Sequence, residues 1–177
     1  MKEQEEVILV NNNDQEIGTM GKMESHMKGS LHRAISVFIF NSKNEMLLQR
    51  RSLNKYHTPG LWSNTACSHP RPKEKTIEAA IRRLFEEMRL KADLKFAFKF
   101  LYKVNFENKL IEHELDHVFI GFTDEKPDYN TEEVCDWKYL NQHDLEKLLN
   151  KTPESFSPWF NLCYKRVFDK VNQLNIT

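Results

Sequence analysis

The chain has 177 residues, 40% hydrophobic and 29% charged, which fits one globular domain with a sizeable core. Lys plus Arg equals Asp plus Glu, 26 of each, so the formal net charge is zero and a nucleic acid or an anionic membrane is not an expected partner. Three cysteines (Cys67, Cys135, Cys163), no signal-peptide pattern and no apolar run of bilayer length exclude a disulfide scaffold and a membrane span, and point to the cytoplasm.

In chain order, EVILVNN (6–12) predicts a first strand, turned by NNDQEIG (12–18). RAISVFIFN (33–41) is apolar on both faces, with Ile35, Val37 and Ile39 on one and Phe38 and Phe40 on the other. Such a strand is covered on both sides and therefore central. MLLQRRS (46–52) is the next strand, LNKYHTPG (53–60) a loop, and LWSNTACSHPRP (61–72) ends in a proline stop. From Thr76 to Leu90 the period becomes helical, with Ile77, Ala80, Ile81, Leu84 and Met88 in one stripe. Strands follow around FAFKFLYKVNF (96–106), LIEHELDHVFIGF (110–122) and VCDWKYL (134–140). QHDLEKLLN (142–150) is helical. A last helix carries Phe160, Cys163, Tyr164, Val167 and Val171, with Ser157 as N-cap and Pro158 at its first position. The fold class expected is α+β, a mixed sheet sandwiched between helices (α/β/α), in one domain over 1–177.

The strand at 110–122 puts Glu112, Glu114 and Asp116 on the same face as Val118, Ile120 and Phe122. Carboxylates about 7 Å apart that enter a buried region repel unless a cation lies between them. Two readings stand: a solvated strand end, or a metal. Histidines fall at 26, 32, 57, 69, 113, 117 and 143, and those at 113 and 117 face away from Glu112 and Glu114. Histidine with carboxylate suits a borderline divalent ion such as Zn²⁺, Mn²⁺ or Co²⁺. On the helix from Thr76, Arg83 and Glu87 lie one turn apart on the flank of the stripe. That spacing serves a surface ion pair or a cleft equally.

SHPRPKEKTIEAAIRRLFEEMRL (68–90) resembles a Nudix box, with Glu74, Arg82, Leu84, Glu86, Glu87 and Leu90 in place. It departs at Ser68 and Arg89, where the box has glycines, and at Arg83, where it has its central glutamate. A site with one carboxylate fewer and a guanidinium more holds a diphosphate without cutting it. Beyond the box, LHRAISVFIFN, LLQRRSLNK, PGLWSNTACSHP, FLYKVNF, IEHELDHVF and FSPWF resemble the type 1 isopentenyl-diphosphate isomerases, from VILVNNN to the last helix.

The resemblance implies a Nudix-type sheet with an N-terminal extension, residues 1–32, that brings metal and diphosphate ligands. It implies a metal, Mn²⁺ or Zn²⁺, held by His26, His32, His69, Glu112 and Glu114. A Mg²⁺ would bridge Glu87 and the substrate diphosphate, with Lys22, Arg51, Lys55 and Arg83 as its cationic partners. Cys67 and Glu114 would move the protons on opposite sides of an alkene, Tyr102 would hydrogen-bond Glu114, and Trp159 would face a carbocation. Cys67 would then lie close to a metal and cationic side chains, surroundings that can favour a thiolate. The substrate would be an allylic or homoallylic diphosphate of isoprenoid biosynthesis. No unexplained apolar stripe demands a protein partner, so a monomer is expected. The rivals are a Nudix hydrolase of diphosphates, which would want a glutamate at 83, and a Nudix-like binding module without catalysis.

Overall fold

The structure, a computed structural model, describes residues 5–174; residues 1–4 and 175–177 of the single domain expected over 1–177 lie outside the described residues. The strands are β1 (Glu6–Val10), β2 (Glu16–Gly21), β3 (His32–Phe40), β4 (Met46–Arg51), β5 (Trp62–Ser63), β6 (Ala66–Ser68), β7 (Lys95–Asn105), β8 (Ile111–Phe122) and β9 (Val134–Leu140). The helices are α1 (Lys22–Lys28), α2 (Thr76–Met88), α3 (Gln142–Lys151) and α4 (Pro158–Leu174). None of the helices described is long and apolar enough to cross a membrane.

β3 organises the sheet. Along its whole length one edge pairs in parallel with β8, whose other edge carries antiparallel β7. The opposite edge of β3 is shared in turn by β1 at His32, β6 at Ile35–Val37 and β4 at Ile39–Phe40. β2 extends the sheet beyond β1, while β5 and β9 pair with β4.

The two-faced burial of β3 is as its alternation predicts. Ile35, Val37 and Ile39 pack with Leu47, Phe119 and the inner side of α2, whereas Phe38 and Phe40 pack with Val118, Ile120 and the stripe of α4. Each buried aliphatic or aromatic side chain contributes about 1.5–3 kcal/mol over exposure, so both layers are held mainly by this one strand and its neighbour.

Four local expectations are corrected. Glu16–Gly21 forms a strand that begins inside the turn expected over 12–18, and residues 22–28, for which no element was expected, form α1. α2 ends at Met88, because Arg89 adopts the left-handed conformation (φ 57°) and its N–H bonds Phe85 O. This is the position that the Nudix box fills with glycine. Ile81 is 51% exposed, since Ala79 and Ala80 bring the helix close to the sheet and centre its buried face on Ala80, Leu84 and Glu87. Phe122, expected in the core, ends β8 and is exposed. Ser157 does precede Pro158 at the start of α4, and its hydroxyl meets that of Ser63 at 2.8 Å.

Candidate metal and catalytic site

Three histidines converge at one end of β3. α1 carries His26, then Gly29 turns the chain at φ 65°, with the side chain of Ile111 3.1 Å from where a Cβ would sit. Glycine alone suits that turn, which returns the chain into β3 at His32. His69 follows directly on β6. His26 Nδ1 lies 2.7 Å from Lys22 O and His32 Nδ1 2.8 Å from Ser30 O. Carbonyls only accept, so both Nδ1 atoms carry the proton and both Nε2 atoms present lone pairs.

Those lone pairs point at one place. His32 Nε2 is 3.2 Å from His69 Nε2, and Glu114 Oε1 lies 2.9, 3.4 and 4.0 Å from the Nε2 atoms of His69, His32 and His26. His26 Nε2 and His69 Nδ1 are buried with no partner among the described residues. The four donor atoms lie within 4.8 Å of one another. Buried acceptors crowded together without donors are costly unless a cation binds among them, so the residues fit a divalent ion.

The register of the sheet supplies the carboxylate. Glu114 of β8 lies opposite His32 of β3 and opposite Tyr102 of β7. Tyr102 Oη donates to Glu114 Oε2 at 2.6 Å and to Glu112 Oε2 at 3.3 Å. Glu112 stands in a second group with His26 and His57, its Oε1 3.4 Å from His57 Nε2. Burial and the neighbouring Glu114 charge push Glu112 well above the usual carboxylate range. Burial acts on Glu114 too, but its contacts with the His32 and His69 rings outweigh it and hold its carboxyl well below that range. Burial likewise lowers His57 and His69 to about 3, so both rings are neutral.

Cys67 approaches from the other edge of β3, paired with Ser36, and lines the same cavity as Glu114. The thiolate expectation is overturned. Burial pushes the thiol up to about 12, and Glu87, Glu112 and Glu114 add to this against the single opposing charge of Arg51. Arg51 Nη1 lies 3.8 Å from the sulfur, so one cation is near, but desolvation of the thiolate wins. The cavity encloses about 60 Å³, and Trp159 of α4 forms part of its wall with Nε1 donating to Asn64 Oδ1 at 3.1 Å. Arg51 sits over the indole at 5.3 Å.

The other cations ring the mouth of this cavity, each already occupied. Arg83 donates to Glu87 at 2.9 Å, Glu86 at 2.9 Å and Glu133 at 3.1 Å. Lys55 is in very short contact with the same Glu133 oxygen, and Lys22 binds Glu5 at 2.7 Å. Glu87 is 3% exposed, with Gln49 donating to its second oxygen at 2.7 Å.

The structure thus gathers His26, His32, His69 and Glu114 in one group, sets Glu112 beside it, and brings Cys67, Tyr102, Trp159, Lys22, Arg51, Lys55, Arg83 and Glu87 to one cavity. Three neighbours were not foreseen. His57 and Glu133 carry no periodic signal. Asp116 did, as the third acid of the alternation: buried and accepting from Ser36 Oγ at 2.7 Å, it is raised to about 8 by burial and by Glu114.

A mixed sheet between helices, an arginine-and-glutamate helix at its rim and a buried histidine–carboxylate cluster define a Nudix-type metal-binding protein. The chain belongs to the Nudix family, whose NUDIX domain profile matches residues 30–160, and within it to the isopentenyl-diphosphate Delta-isomerases. The isopentenyl-diphosphate Delta-isomerase of Pectobacterium atrosepticum is 49% identical over 93% of this chain and 92% of its own. Isopentenyl-diphosphate Delta-isomerase 1 of Aromatoleum aromaticum is 51% identical over 93% of each. The crystal structure of DR0079 from Deinococcus radiodurans shares the fold, with a TM-score of 0.68 at 18% identity over 82% of this chain and 90% of that one.

Proposed function

We propose that this protein interconverts isopentenyl diphosphate and dimethylallyl diphosphate, a step of isoprenoid biosynthesis. The observation that carries the chemistry is the pair Cys67 and Glu114, delivered from strands on opposite edges of β3 into one cavity. An unactivated alkene is a very weak base, so the reaction needs an acid at the terminal carbon and a base at the carbon next to the diphosphate-bearing one. A protonated thiol and an ionised carboxylate together hold the one proton that this exchange requires. Because the reaction is reversible, each group is acid in one direction and base in the other.

Tyr102 fixes the Glu114 carboxylate through its 2.6 Å hydrogen bond. Trp159, oriented by Asn64, offers its face to positive charge on the tertiary carbon, a contact that contributes about 2 kcal/mol in a dry site. Lys22, Arg51, Lys55 and Arg83 bind the diphosphate. Mn²⁺ or Zn²⁺ belongs to His26, His32, His69, Glu112 and Glu114, and when bound it offsets the buried negative charge. Glu87 is the ligand for a Mg²⁺ that travels with the diphosphate.

The test is isomerisation in D₂O. The wild type incorporates deuterium into product, while Cys67→Ala and Glu114→Gln each abolish turnover with the fold intact. Parent-rate turnover by Cys67→Ala would sink the two-sided scheme, and phosphate release from nucleoside diphosphate derivatives would favour a hydrolase instead.

A further inference from the structure

Asp14 closes the turn between β1 and β2 in the left-handed region (φ 66°), its N–H donating to Asn11 O at 2.9 Å. Its carboxylate leaves the hairpin for the sheet and is only 13% exposed. Arg33 Nε donates to Oδ1 at 2.8 Å, Lys99 Nζ to Oδ2 at 3.0 Å, and His117 Nε2 lies 2.9 Å from Oδ2. Arg33 Nη2 also donates to the backbone O of Asp14 at 2.7 Å. The pairing of β3 with β8 and of β8 with β7 sets these three side chains on one face of neighbouring strands. Burial opposes the charge on Asp14, but hydrogen bonds from Lys99 and Arg33 outweigh it and hold the carboxyl below the usual range. One carboxylate thus joins the hairpin to three strands at once.

The hairpin has few other ties. Among the described residues β1 meets β3 at a single register pair, Leu9 with His32. Val10 N–H donates to Leu31 O at 3.2 Å, and Ile8, Val10, Leu31 and Leu115 form a small apolar group. A lone register pair acts as a pivot, and a second anchor is needed to fix direction. From the turn, β2 runs six residues, roughly 20 Å, to Gly21 and hands the chain to α1. A small rotation at the turn is therefore a large displacement at Lys22. Lys22 O accepts from His26 Nδ1 at 2.7 Å and so aims His26 Nε2 at the metal group. Lys22 N–H donates to Glu5 O at 2.7 Å, which makes the start of β1 move with it. The far end of α1 has its own anchor, Gly29 O at 3.0 Å from His113 Nδ1, and this leaves the Lys22 end to the hairpin.

We propose that Asp14 is a positioning residue. Its carboxylate, held by Arg33, Lys99 and His117, fixes the direction of the β1–β2 hairpin, and through it the placement of Lys22 for the diphosphate and of His26 for the metal. This rests on the proposal above that Lys22 binds the diphosphate and His26 a divalent ion. Without the carboxylate, the charges of Arg33 and Lys99 would face each other unpaired and lift the turn from the sheet.

The test compares wild type, Asp14→Asn and Asp14→Glu in the full chain. Asparagine tolerates the left-handed turn and keeps the volume, so only the charge is lost, whereas glutamate keeps the charge on a longer reach. Hydrogen exchange is read along residues 18–28 and, as reference, in the paired core of β3 and β8. Zn²⁺ affinity comes from chelator competition, and isopentenyl diphosphate kinetics are taken at saturating metal. In Asp14→Asn, exchange along 18–28 should be on the order of tenfold faster with the core unchanged, and Zn²⁺ binding on the order of tenfold weaker. KM should rise about tenfold with kcat within about twofold, and Asp14→Glu should recover part of each loss. Exchange equal in the two proteins, exchange faster evenly through the core, or unchanged KM and Zn²⁺ affinity would each overturn the assignment. The even spread would mark a residue that serves stability alone. A wild type that neither binds Zn²⁺ nor isomerises would overturn the proposed function, and exchange along 18–28 would still decide the role of Asp14.

Discussion

Arg83 Nη2 stands 2.9 Å from Glu87 Oε1, one helical turn along α2, and Gln49 closes the other side of that carboxylate at 2.7 Å. The residue that departs from the Nudix box therefore pairs with two of the glutamates that remain, Glu86 and Glu87. Arg83→Glu would crowd a further carboxylate against Glu86, Glu87 and Glu133 while leaving Glu87 without its cation. Stripping a buried carboxylate of its cation destabilises by about 3 kcal/mol. Urea unfolding should show a lower midpoint at unchanged slope, partly restored by millimolar Mg²⁺.

Glu133 sets one oxygen between Lys55 and Arg83, the place a diphosphate oxygen would take. Glu133→Gln frees Lys55 and removes one of the three carboxylates that hold Arg83. Inorganic pyrophosphate should bind about threefold to tenfold tighter to the variant, as calorimetry would measure, since one partly exposed ion pair contributes about 1 kcal/mol. Weaker binding would mean that Glu133 positions the cations and does not compete for them.

The thiol of Cys67 is pushed up to about 12, whereas an unfolded cysteine titrates near about 8.5. The folded state keeps a proton that the unfolded state releases. The contribution of Cys67 is thus fully present below about pH 8.5 and drains away as pH rises toward about 12. In metal-free protein, wild type should lose about 2 kcal/mol more than Cys67→Ala between about pH 7 and pH 10, read from urea unfolding at both pH values. Parallel losses would indicate that the thiol ionises normally.

Arg89 holds a left-handed conformation at the end of α2, where its backbone N–H bonds Phe85 O and its guanidinium makes one exposed contact, 5.4 Å from the Phe85 ring centre. That conformation costs a non-glycine residue about 1–2 kcal/mol, and glycine loses part of the gain as chain entropy. Arg89→Gly should raise stability by about 0.5–1 kcal/mol, a melting shift of a few degrees in calorimetry with turnover unchanged.

Where the chain states its structure through period, the sequence was legible. β3 declared two buried faces, β8 declared an acidic face running into an apolar one, and α4 declared its stripe. α1 has seven residues, too few for a helical period to register, yet it carries His26. Ile81 has the right spacing for the core, and only the close approach allowed by Ala79 and Ala80 turns it outward. The protonation of Cys67 depended on how completely the sheet and α4 desolvate it, which no count of nearby cations reveals. Glu133 and His57 acquire partners far along the chain, at Arg83 and Glu112, and nothing local announces that.

Parallel pairing of β3 with β8 sets His32 against Glu114, and the same strand sets Ser36 against Cys67 on its far side. A slip of one residue in β3 would swing His32 to the opposite surface and leave its partners without it. A divalent ion in the centre would therefore act as a proofreader of strand alignment, favouring only the chain whose sheet has zipped in step.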